Sequence, residues 1–148
     1  MYSDGPAPQQ LSRDECLQLM ASVSMGRIIY TRQALPAVEL VNFALDHGDI
    51  VIKTDGDGKL AAATRHTIVA FEADCLDAQQ AGWSVTATGP SREVTDPDDI
   101  GRLRKIDLSS LARGTREHFV RVSPELLNGR RLRAHGLQDD NGADRFRV

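Results

Sequence analysis

The alternation of apolar and polar positions is clearest between residues 35 and 63, LPAVELVNFALDHGDIVIKTDGDGKLAAA. Residues 37–45 keep one parity apolar except at Glu39, and residues 50–54 form a short β-branched run, so both predict strands. Asp46-His47-Gly48-Asp49 predicts the hairpin turn between them. Asp55-Gly56-Asp57-Gly58 predicts a second sharp turn, because two glycines relax the φ limits and two aspartates can bond back to the main chain. Lys59 then opens an Ala-rich helical start. Upstream, Ser12 and Glu15 have the spacing of a capping box, and Leu11 and Cys16 that of a hydrophobic staple. These predict a helix from Arg13 with Cys16, Leu19, Met20 and Val23 on one face. Met25-Gly26 is expected to end it, residues 27–31 to resume as a strand, and residues 32–36 to form a hairpin link.

Downstream, residues 67–74 (TIVAFEAD) and 83–94 predict two further strands, the second bulging or bending at Gly89-Pro90. Asp96 and Pro97 start a helical pattern that continues through Ile100, Leu103 and Ile106. Residues 111–115 read as a break, residues 118–122 (HFVRV) as a last strand, and Asn128-Gly129-Arg130-Arg131 as another turn. About six strands at short intervals, joined by tight turns, predict a mainly β fold. An antiparallel barrel fits better than a parallel sheet with its long crossovers.

Composition narrows the class. The 148 residues suit one domain, with residues 1–10 expected as a disordered leader, 11–133 as the folded unit and 134–148 as a disordered tail. A net charge of −3 and 5% aromatic residues argue against a single-stranded nucleic-acid binder, which needs a basic groove interleaved with aromatics. No apolar run reaches the roughly 18 residues of a spanning helix, and the N-terminus has neither a basic region nor an apolar core, so a cytoplasmic location without membrane contact is expected. Cys16 and Cys75 lack metal or redox spacing and read as buried thiols.

Candidate chemistry centres on the second turn. A Lys beside unpaired backbone N–H groups, where a strand delivers the Thr54 hydroxyl, is a plausible phosphate seat, although no GxxxxGK[ST] string is present. Asp55 and Asp57 lack the remaining ligands of a calcium loop. Arg130, Arg131 and Arg133 could clamp an anion or form a solvated cluster. His47, His66, His118 and His135 are scattered without metal spacing, and no nucleophile–base pair stands out. If the protein is an enzyme, a cofactor must carry its chemistry.

The words GRIIY, LPAVELVNFALDHGDIVIKT, GKLAAA, VAFEAD, GWSVTATGPSREV and HFVRVSPELLNGRRLR, in that order over residues 11–133, resemble the pyridoxamine 5′-phosphate oxidase-like flavin-binding split-barrel family. The resemblance implies a six-stranded antiparallel split β-barrel, a homodimer, and FMN, or alternatively the deazaflavin coenzyme or haem, bound between subunits. By position it implies that Val41, Asn42 and Phe43 line the isoalloxazine largely through backbone groups. Ile52, Lys53, Thr54, Lys59 and Leu60 would form the phosphate-binding part, and Trp83 and Ser84 would lie near the cofactor and partner subunit. The implied function is a flavin- or deazaflavin-dependent oxidoreductase acting on a small planar molecule, with a non-catalytic flavin- or haem-sequestering module as the alternative. The C-terminal substrate signature of true pyridoxamine 5′-phosphate oxidases is missing, so that reaction is not expected.

Overall fold

A computed structural model describes residues 9–55, 58–106 and 117–133. The expected breaks and tails at residues 1–8, 107–116 and 134–148 lie outside the described residues. In chain order the elements are β1 (Gln9–Gln10), α1 (Arg13–Ala21), β2 (Met25–Arg32), β3 (Leu35–Asp46), β4 (Asp49–Asp55), α2 (Lys59–Ala63), β5 (Thr67–Leu76), β6 (Gly82–Glu93), α3 (Pro97–Leu103), β7 (Glu117–Val122) and β8 (Leu126–Leu132).

All pairings are antiparallel, and the sheet order β6-β5-β2-β3-β4-β7 closes on itself where β7 returns to β6. The result is a six-stranded barrel, as the strand spacing predicts. β6 pairs with β5 from Gly82 to Ser91, but its other edge pairs with β8 from Gly82 to Thr88 and with β7 from Ser91 to Glu93. The expected bulge at Gly89-Pro90 is therefore absent from the β5–β6 register. The dipeptide marks the change of neighbour instead, and Ser123 of the β7–β8 link donates its N–H to the Pro90 carbonyl at 3.0 Å.

The interior is filled by the inward parity of each strand, including Ile28, Phe43, Ile52, Phe71, Val85 and Val120. Phe43 and Phe71 meet edge to face with ring centroids 4.7 Å apart. Glu39, the one polar residue on its apolar parity, faces inward opposite Ile28 and accepts a hydrogen bond from the Tyr30 hydroxyl at 2.5 Å. α1 has the expected capping box, with Ser12 and Glu15 bonded reciprocally at 3.2 Å. It packs on β3, β6 and β8, while α2 packs on β2, β6 and β7 and buries Leu60 and Ala61. α3 covers a second, smaller core on the outer face of β4 and β7, formed by Val51, Val94, Leu103 and Phe119.

Three expectations change. Gly26 lies inside β2 rather than ending α1, which is closed by Ser22; the Phe71 ring occupies the space a side chain at Gly26 would need. Asn128-Gly129 is not a turn but the middle of β8, where a Cβ on Gly129 would stand 2.5 Å from the Cys16 sulfur. Glycine is needed there for close approach of α1, and the same residue type that signals a turn also signals such contacts. Gln9 and Gln10, at the end of the expected leader, pair with Arg131 and Arg130. Of the two cysteines expected as buried thiols, Cys16 is buried but Cys75 is exposed.

Candidate functional site

Two surfaces carry the residues singled out in the sequence. The first is the barrel end covered by α2. β4 delivers Thr54 on the inward parity, opposite His118 of β7, whose carbonyl accepts a long 3.5 Å hydrogen bond from the Thr54 hydroxyl. Lys53, the preceding residue, points outward, because successive strand residues alternate faces. Its Nζ lies 3.3 Å from Glu117, which Arg104 also binds at 2.9 Å, and these partners hold the Glu117 carboxyl below its usual range, Arg104 first. Lys53 and Thr54 thus do not present their side chains to one ligand.

Gly56 and Asp57 of the expected second turn lie outside the described residues; Gly58 is in the left-handed region, φ 72° and ψ 16°, and Lys59, exposed, opens α2. A Cβ on Gly58 would stand 3.2 Å from the His118 ring, so the turn lies directly on that ring. His118 Nδ1 is 3.0 Å from one oxygen of Glu93, and Arg65, just after α2, binds the other at 2.8 Å. The Glu93 carboxyl is held below its usual range by His118 and then by Arg65. The sequence reading missed Glu93 and Arg65. The available signal was parity: Glu93 follows Trp83, Val85, Ala87, Gly89 and Ser91 on the inward side of β6, where a carboxylate needs partners.

The second surface is the outer face of β6 and β8. Ser84 lies opposite Arg130, and with Gln10, Thr86, Asn128 and Gly129 they line an open groove of about 330 Å³. Arg131 points to the other side of β8 from Arg130, so the arginines do not form one clamp. Trp83, beside Ser84, is buried in the main core.

Val41, Phe43, Ile52 and Leu60 are core side chains, which leaves their backbone for any ligand contact. Asn42 is buried on the outward parity of β3, opposite Met25. Ser84 and Glu93 are nine residues apart on one strand, roughly 25–30 Å. The Ser84 groove and the Gly58-Lys59 turn, which rests on the His118–Glu93 pair, therefore occupy opposite ends of the barrel. Among the described residues, no group of three or more His, Cys, Asp and Glu could hold a metal ion, and no helix is long and apolar enough to cross a membrane.

The pyridoxamine 5′-phosphate oxidase family profile matches residues 12–131. The chain belongs to this family. It is 37% identical over 129 residues to the uncharacterized protein Rv0080 of Mycobacterium tuberculosis, covering 83% of this chain and 84% of that protein. It is 34% identical to a solved structure described as the FAD binding protein from Mycobacterium smegmatis, with TM-score 0.72, covering 84% of this chain and 97% of that one. A solved FAD and haem binding protein, also from Mycobacterium smegmatis, aligns at TM-score 0.68 over 88% of this chain and 76% of its own. Its 16% identity makes that a likeness of fold alone.

Proposed function

We propose that this family member binds a flavin with its phosphate at the Thr54 and Lys59 end of the barrel and serves as a flavin-dependent oxidoreductase for a small planar substrate. The observation that carries this reading is the 34% identity, across nearly the full length of the other chain, to a protein described as binding FAD. The local chemistry fits. An exposed lysine, a threonine hydroxyl and a left-handed glycine resting on the His118 ring are the components of a phosphate cradle. The bound isoalloxazine would supply the two-electron chemistry, and the chain's own residues would bind and orient it. FMN satisfies these donors through its terminal phosphate and FAD through its pyrophosphate.

The separation of the two surfaces supports a homodimer. A span of roughly 25–30 Å exceeds the length of FMN, so Lys59 and the Ser84–Arg130 groove can serve one such ligand only if the groove comes from a second copy. The outer faces of β3, β5 and β8 expose Val38, Leu40, Ile68 and Leu126, an apolar surface such a partner would cover.

The test is titration of the apo-protein with FMN, FAD and riboflavin, read by flavin fluorescence. Lys59→Met keeps most of the apolar stem but removes the charged donor, and should weaken FMN binding roughly tenfold to a hundredfold while leaving riboflavin affinity and the melting temperature nearly unchanged. Equal losses for both ligands would mean that the substitution disturbs the pocket rather than a phosphate contact. An absorption spectrum lacking flavin, with no uptake of any of the three, would overturn the reading.

A further inference from the structure

His118 joins the elements of the α2 end. Its carbonyl accepts from Thr54, its ring supports Gly58, and its Nδ1 faces Glu93, which Arg65 holds from the far side of α2. The Glu93 side chain is 17% exposed and that of His118 27%, so the pair is half withdrawn from water and only partly screened. An ionised carboxylate can only accept, so the Nδ1 proton is committed to Glu93. The nitrogen that gains or loses a proton is then Nε2, and this is the ring edge facing the turn, 3.2 Å from where a Gly58 Cβ would be. The charged groups near the ring include Glu93 on β6, Arg65 after α2, and Lys59, which opens α2 next to the Gly58 that rests on the ring. Lys53 and Glu117 pair with each other on the outer parity of β4 and β7.

We propose that His118 is a positioning residue for the phosphate seat: its ring sets the Gly58 turn that delivers Lys59, and protonation at Nε2 adds a positive charge beneath that turn, making phosphate affinity depend on pH. This rests on the flavin reading above. Alone, a phosphate monoester gains negative charge as pH rises through about 6 and would bind more tightly to a fixed cation. Loss of the Nε2 proton removes a positive charge from beneath the turn and opposes that trend.

The experiment compares FMN and riboflavin affinities of the apo-protein between pH 5.5 and 8.5 for wild type, His118→Gln and Glu93→Gln. The ratio of wild-type to His118→Gln affinity for FMN should be about tenfold at the acid end and should shrink as pH rises, while the same ratio for riboflavin should stay level. Glu93→Gln removes the carboxylate that holds the Nδ1 proton, so its FMN profile across pH should differ from that of wild type. A pH-independent ratio overturns the proposal and leaves the flavin reading standing. Failure of wild type to bind FMN, FAD or riboflavin at any pH overturns both. If His118→Gln melts out, Glu93→Gln decides: a profile coincident with wild type rejects the role of His118.

Discussion

Ala34 shows how one residue can work against its own turn. Gln33 and Ala34 join β2 to β3 with φ of 50° and 63°, and only two residues separate the paired Arg32 and Leu35. Such a turn matches the twist of the strands, but it forces an L-residue's Cβ toward a carbonyl. Ala34→Gly should therefore stabilise the fold by about 1 kcal/mol and raise the melting temperature by about 2–4 °C, as thermal unfolding would read. An unchanged or lower value would mean that the cost in the folded turn is no greater than the entropy glycine adds to the unfolded chain. The same scale shows what residue types reveal. His47-Gly48 was legible as a turn because a strand-like run flanks it on each side, and the structure pairs Asp46 with Asp49 across it. Gly26 and Gly129 were not legible as packing glycines, since what they accommodate, Phe71 and Cys16, comes from distant parts of the chain.

At the scale of elements, α3 is tied to the barrel through Asp46. Arg102 binds both Asp46 oxygens at 2.7 and 2.9 Å, and Arg121, itself buried, reaches Asp46 at 2.6 Å and Asp49 at 3.2 Å. Bonds from Arg102, and then from Arg121, hold the Asp46 carboxyl well below the usual carboxylate range. Its folded value is depressed relative to the unfolded chain. The stabilisation is therefore complete above about pH 5, and it is lost as pH falls from there toward the folded value. Asp46→Asn should cost about 3 kcal/mol at neutral pH, because it leaves Arg121 buried with one carboxylate, and urea unfolding of the variant should depend less on acid than that of wild type. Parallel pH dependence in the two proteins would reject this assignment. The elements themselves were largely legible, since each carries its own periodicity. The Asp46 cluster was not: Asp46 reads as a turn residue and Arg121 as one outward position of HFVRV, and 75 residues separate them.

For the whole molecule, the barrel could be anticipated from strand count, turn spacing and the family resemblance, whereas the separation of Ser84 from Lys59 required the register. The proposed dimer predicts that Leu40→Asp, on a half-exposed outer position, will leave the monomer fold nearly intact while sedimentation shows dissociation and flavin affinity falls. A wild-type monomer that retains flavin would refute the shared site. The closure of the barrel has a consequence of another kind. β5 is zipped to β6 from Thr67 to Leu76, but β7 meets β6 only at Ser91, Arg92 and Glu93, while it is held to β4 from Ile50 to Asp55. This closure is one of the two three-pair ladders of the cylinder, the other joining β2 to β5 at Arg27 to Ile29, and it can open locally with β7 swinging on β4 as its hinge. Amide hydrogens bridging β6 and β7 should exchange with solvent before those bridging β5 and β6, and because β7 carries His118, each such opening would momentarily unseat the ring beneath Gly58.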